Sequence, residues 1–189
     1  MKKDRKNIIL QSLASMLEER NLTKITTALL AEKSNITEAA LYRHFPSKRS
    51  IYAELFSFCD DAVFNKCNEL KKSKLSGKDK AKNAYMFFMM FIEKNKGFTR
   101  LLSREALSNN EQNVLDNVNQ FYERFELILR QMLKEEASNL VTQPGISAQL
   151  IVTCIEGNIG RYIRSKFKVS PSTYIENVWE LLSRSIFKN

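Results

Sequence analysis

Thr26-Thr27-Ala28-Leu29-Leu30-Ala31-Glu32-Lys33-Ser34-Asn35-Ile36-Thr37-Glu38-Ala39-Ala40-Leu41-Tyr42-Arg43-His44-Phe45 reads as two short helices joined by a tight turn. Two helices can cross closely only where a small residue sits at the crossing, and Ala31 supplies it. The turn needs a residue tolerant of left-handed backbone, which Asn35 is. Leu30, Ile36, Leu41 and Phe45 are placed to hold the pair together. The rest of the second helix carries short or polar side chains: Thr37, Glu38, Ala39, Ala40, Arg43 and His44. Such a surface fits the major groove of double-stranded DNA. Thr37 is a hydroxyl cap before good helix formers, and Pro46 ends the helix at Phe45.

On the N-terminal side, Ile9, Leu13, Met16 and Leu17 share one face of a helix predicted over residues 3–20, which breaks at Asn21-Leu22-Thr23-Lys24. The two short helices fall at 27–34 and 37–45. A long helix follows at 47–74, carrying Ile51, Leu55, Phe58, Ala62 and Cys67. Lys71 to Lys78 reads as a polar linker. Further helices fit 78–95, 98–108, 111–137, 146–166 and 172–187, with Gly97, Pro144-Gly145 and Ser170-Pro171 at the joints. The expected fold class is all-α, with about nine helices. A three-helix DNA-binding domain at 1–48 precedes a helical dimerisation domain at 49–189.

The two last helices are apolar on more than one side. Leu150, Cys154 and Gly157 lie near one face of the first; Tyr174, Val178, Trp179 and Leu182 belong to the second. Pairing with their copies in a second chain would bury them as a four-helix interface; an ordinary intramolecular core is the alternative.

Composition narrows the function classes. Net charge is +9, and residues 1–50 hold 10 Lys/Arg against 5 Asp/Glu, a net +5. A basic N-terminal quarter attracts polyanions, although solubility alone would also explain it. Cys59, Cys67 and Cys154 form no CxxC, and Cys59 and Cys67 point about 80° apart on a helix. Buried reduced thiols fit better than a disulfide or zinc site. No leader-like segment or apolar run of membrane length is visible, so a cytoplasmic protein that does not engage the membrane is expected. No catalytic residue, metal site or cofactor is expected. The adjacent carboxylates Glu18-Glu19 and Glu135-Glu136 diverge on a helix, and no phosphate loop or nucleophile elbow occurs.

The run Ile36-Thr37-Glu38-Ala39-Ala40-Leu41-Tyr42-Arg43-His44-Phe45-Pro46-Ser47-Lys48 resembles the hallmark of the TetR family, departing from it at Asn35, where glycine is usual. That resemblance implies phosphate contacts by Tyr42, His44 and Lys48. Thr26 and Thr27 open the preceding helix and can donate to phosphate. Ala39 and Ala40 can lie against thymine methyls, and Arg43 can reach a guanine or a phosphate.

A narrower resemblance covers nearly the whole chain, including Phe98-Thr99-Arg100-Leu101-Leu102, Asn119 to Glu126 and Glu156 to Lys168. It points to a subgroup of the family that acts in nucleoid occlusion. The implied activity is that of a homodimer bound at palindromic DNA sites, which antagonises polymers of the division protein FtsZ. By the same resemblance, Phe58 and Asn95 match the FtsZ-contacting positions, and Lys66 and Lys94 keep a positive charge where the subgroup has arginine. Phe87 and Met90 depart from its pattern. Phe58, Phe87 and Met90 read equally as core residues. The competing function is a transcriptional repressor released by a small hydrophobic ligand, with the Met/Phe-rich segment 85–92 lining the pocket.

Overall fold

Helical periodicity becomes helix throughout. The computed structural model describes residues 2–19, 25–107 and 112–188, and among them there are nine α-helices and no extended strand. They are α1 (Lys2–Glu18), α2 (Thr27–Lys33), α3 (Glu38–His44), α4 (Lys48–Lys72), α5 (Gly77–Lys94), α6 (Lys96–Leu102), α7 (Gln112–Lys134), α8 (Pro144–Arg164) and α9 (Ile175–Ile186). The expected break at 21–24 lies outside the described residues. Two compact units divide the chain: residues 1–60 with 95–118, and residues 61–94 with 119–189.

In the first unit, α1 buries Ile9, Leu13, Met16 and Leu17, the face its spacing predicts. Phe56 of α4 meets Phe98 of α6, ring centroids 5.4 Å apart. α6 lies directly on α1, because Gly97 has no side chain: a Cβ there would stand 2.7 Å from the Ala14 carbonyl oxygen and 3.1 Å from its Cα. α6 is shorter than the predicted 98–108. It stops at Leu102, and Arg104 takes a left-handed φ of 64°.

The second unit is built on an aromatic cluster. Phe88 of α5 packs against Phe121 and Phe125 of α7 at 5.5 and 4.9 Å, and Phe64 of α4 approaches Phe121 at 5.2 Å. Tyr85, Met86, Met89 and Ile92 are buried beside them on α5. The Met/Phe-rich segment is therefore largely core. Lys80 is buried to 6% exposure and meets the Glu135 carboxylate at 2.7 Å, so its charge is compensated where water is scarce. Tyr85 also packs on Trp179 of α9 at 5.7 Å. α9 starts at Ile175 and not near 172, since Ser172 donates its N–H to the Ser170 hydroxyl in a turn before it. Glu93 is drawn into the same turn: a hydrogen bond from the Ser172 side chain holds its carboxyl below the usual range, against desolvation. The C-terminus is tied back by a bridge in which Val141 N–H donates to Ile186 O at 2.9 Å.

Cys59 and Cys67 are buried free thiols, and burial pushes each up to about 12; Cys154 is half-buried and raised by burial too. None of the three is paired. No described helix is long and apolar enough to cross a membrane.

Because backbone atoms bound the space at Gly97, nothing there can yield as a flexible side chain would. Gly97→Ala is expected to cost about 1–3 kcal/mol. Urea unfolding followed by circular dichroism measures it, and an unchanged midpoint would mean that α6 can lift off α1 freely.

Candidate nucleic-acid interface

A seven-residue helix has too few hydrogen bonds to stand alone, so α2 and α3 depend on their ends and on what they bury. Thr26 caps α2, its Oγ accepting from Leu29 N–H at 3.2 Å; Thr37 caps α3 in the same way, accepting from Ala40 N–H at 3.2 Å. Leu30 and Ala31 of α2, and Leu41 and Phe45 at α3, are buried. Ser34 and Asn35 make the joint. Asn35 adopts φ 52°, as its place in the turn predicts, and Ile36 N–H donates to Ala31 O at 3.0 Å. Lys6 of α1 stands 5.0 Å from the Phe45 ring centroid.

This packing leaves one side of α3 facing outward. Glu38, Ala39, Tyr42 and Arg43 are exposed; Ala40 and His44 are half-buried. Thr26 and Thr37 are exposed beyond their capping bonds, and Lys48 at the start of α4 has its ammonium 5.3 Å from the Tyr52 ring centroid. All ten sequence-predicted DNA contacts thus belong to the α2–α3 pair, its caps and the first turn of α4. One arrangement among them was not legible in sequence. The Thr27 hydroxyl donates to Glu38 Oε1 at 2.5 Å, and the Tyr42 hydroxyl donates to Thr27 Oγ1 at 3.4 Å. A residue at the N-terminus of each short helix is linked to one a turn further along α3; no spacing rule relates positions 27, 38 and 42.

The other predicted site residues are distributed as follows. In the first unit, Phe58 is 68% exposed and Asn95 caps α6 by position without a side-chain capping bond. In the second, Met90 is 46% exposed and Lys94 is exposed. Phe87 is half-buried against Phe91, ring centroids 5.7 Å apart, and Lys66 pairs with Glu69 at 3.0 Å. Phe58 and Met90 are thus surface residues, and the core reading fails for both. On α8, Leu150 is exposed, Cys154 is half-buried, and a Cβ at Gly157 would meet nothing within 4 Å. Tyr174, at the N-cap of α9, is 65% exposed, and Val178 on the helix is half-buried. Trp179 and Leu182 need correction. They are buried within the chain, Trp179 against Tyr85, and have little surface left for a partner. Ile146, on the same face of α8 by sequence, is 54% exposed, and Leu181 of α9, 65% exposed, is an outward apolar residue that the predicted set omits. No cluster of His, Cys, Asp or Glu among the described residues could hold a metal ion.

Fold and site together define a helix-turn-helix DNA-binding regulator of the TetR type. Residues 9–55 match the family model for bacterial regulatory proteins of the tetR family, and residues 79–187 match the SlmA-like model of the tetracyclin repressor-like C-terminal domain. Nucleoid occlusion factor SlmA of Vibrio vulnificus is 36% identical over 190 residues, covering 98% of this chain and 97% of that protein. SlmA of Cronobacter sakazakii is 35% identical over 190 residues, covering 98% and 96%. The chain belongs to the SlmA family, a family of DNA-binding regulators and not of enzymes. Among solved structures, NalD, the secondary repressor of the MexAB-OprM multidrug efflux pump in Pseudomonas aeruginosa, superposes with TM-score 0.79 at 15% identity, covering 100% of this chain and 98% of that one. FadR from Bacillus subtilis, solved in complex with stearoyl-CoA, gives 0.77 at 16%, covering 95% and 98%. At those identities the likeness is one of fold.

The left-handed turn gives a direct test of the interface. Asn35→Ala is expected to cost about 1 kcal/mol, the steric penalty of a Cβ at this φ without a short polar side chain to offset it. Asn35→Gly is expected to stay within about 0.5 kcal/mol of wild type, because relief of strain and greater unfolded-chain entropy oppose each other. Thermal melts measure both, and gel shift should find unaltered DNA affinity for Asn35→Gly.

Proposed function

We propose that this protein is a nucleoid occlusion factor: a homodimer that binds palindromic sites on double-stranded chromosomal DNA and, when bound, antagonises FtsZ assembly. The observation that carries the reading is identity of about one residue in three with SlmA over both the DNA-binding and the C-terminal regions. The C-terminal match matters most, since residues 79–187 fit the SlmA-like model, whereas proteins that share only the fold are about 15% identical over the whole chain. Tyr42, His44, Lys48 and Thr26 contact phosphates, which position the reader without specifying sequence. Ala39, Ala40 and Arg43 face base edges.

Dimerisation is supported by the exposed apolar residues Ile146 and Leu150 of α8 and Tyr174 and Leu181 near and on α9, which a lone chain would leave in water. Open space at Gly157 lets a second helix come close. Leu150→Glu or Leu181→Glu is expected to yield monomers in sedimentation equilibrium; a dimer that survives both would remove these helices from the interface. Trp179→Ala, by contrast, should lose about 3 kcal/mol of chain stability.

FtsZ contact is supported by the exposure of Phe58 and of Met90, with Lys94 and Asn95 carried over by family position. Basic and exposed apolar side chains of this kind suit an acidic, extended peptide segment. Purified FtsZ polymerised with GTP and pelleted with the protein, with and without sheared chromosomal DNA, tests the function. Loss of pelleted polymer, greatest with DNA, is expected. Asn95→Asp should keep DNA binding and lose much of this effect. A folded dimer that leaves FtsZ polymer untouched under every DNA condition would favour a ligand-released repressor.

A further inference from the structure

The recognition helix α3 opens with an acid, on a surface that must approach phosphates. A carboxylate only accepts hydrogen bonds, so near the phosphate backbone it is repelled and offers nothing in return. Its position, however, is the first of α3, and the N-terminal residues of a recognition helix are those brought to the base edges. In the major groove the donors available to an acid are the amino groups of cytosine and adenine. Adenine sets its N7 acceptor beside the amino group, facing a carboxylate with a second lone pair. Cytosine presents its N4 amino group with no acceptor of its own in the groove.

The hydrogen bonds of the site favour a fixed acid. Glu38 is exposed, yet its Oε1 accepts from the Thr27 hydroxyl at 2.5 Å, which leaves Oε2 and the remaining lone pairs for another donor. A glutamate otherwise loses rotamer freedom on binding, and tethering one oxygen beforehand reduces that loss. Thr27 has one hydroxyl proton, and Glu38 takes it. The Tyr42 contact to Thr27 is 3.4 Å, well beyond the usual O–H···O length, so Tyr42 can turn to a phosphate at small cost.

We propose that Glu38 reads a cytosine in each half-site through its N4 amino group, and that Thr27 is the positioning residue that aims it. This rests on the DNA-binding reading above and revises one element of it: the Thr27 side chain serves the acid and not a phosphate. An acid at the first turn also favours the helix dipole, but that role alone would give no base preference.

The test is selection of the full-length protein on a random double-stranded DNA library, with wild type, Glu38→Ala, Glu38→Gln, Thr27→Val and Thr27→Ser compared, and thermal melts confirming folding. Wild type is expected to select half-sites with one cytosine position discriminated roughly tenfold or more. Glu38→Ala should abolish discrimination there and leave the other positions alone. Glu38→Gln should shift that position toward adenine, the base an amide pairs with on two bonds. Thr27→Val should weaken the cytosine preference several-fold, and Thr27→Ser should restore it. Variants of Glu38 that change affinity equally for all sequences, or a discriminated base other than cytosine, would overturn the proposal. A wild-type protein that selects no sequence would overturn the DNA-binding reading and this one with it.

Discussion

The DNA reader depends on burial of Leu41 and Phe45 along one side of a helix only seven residues long. In isolation α3 would be coil, because nucleation is unfavourable and so short a helix gains few bonds in return. Its direction is therefore set by tertiary contacts and by the Thr37 cap, not by propensity. The outward residues inherit their aim from buried ones: exposed Tyr42 and Arg43 follow Leu41, and half-buried His44 precedes Phe45. The left-handed Asn35 makes the turn tight enough for Ile36 N–H to reach back to Ala31 O. A loss of packing at this joint would therefore appear as a loss of DNA affinity, without any contact to DNA having been removed.

Charge has a less direct relation to function than the N-terminal excess suggests. Counted by compact unit, the first holds 13 basic and 10 acidic residues, net +3, and the second 17 and 11, net +6. The unit that contains the helix-turn-helix is the less basic one. Residues 54, 60, 105, 111 and 116 bring acids into it from beyond position 50. What marks the reader is the local set on and around α3, with Arg43, Lys48 and Arg49 close in sequence and the acid Glu38 tied to Thr27. A net charge describes attraction to polyanions in general; the placement of single charges describes what is recognised.

The helix order, the turn at Asn35, the buried face of α1 and the capping by Thr37 were legible in sequence, because each follows from a local rule of spacing or backbone sterics. The ends of α6 and α9 were not. α6 stops at Leu102, just before a left-handed Arg104, a residue with no turn preference, and α9 is delayed by the Ser170–Ser172 turn, whose hydroxyls also engage Glu93 from another helix. The same distinction holds at the site. The residues of α3 could be named from spacing, but the bond from Thr27 to Glu38 depends on the crossing of two helices eleven residues apart in sequence.

The C-terminal helices show a further limit of periodicity. On α9, Trp179, Leu182 and Ile186 form one stripe, and Val178 and Leu181, with Tyr174 just before the helix, form another. Both are apolar at helical spacing, so the pattern has no sign: it cannot say which stripe the chain keeps and which it presents. Size argues the wrong way, since tryptophan is a common anchor at interfaces. The decision comes from the neighbouring helix. Tyr85 on α5 offers a large flat partner, and a ring buried against it is removed from water more fully than one at a rim. Once Trp179 is committed inward, the 3.6-residue period turns Leu181 outward by geometry alone. The outward stripe is thus a consequence of how the core closes around the Tyr85–Trp179 pair.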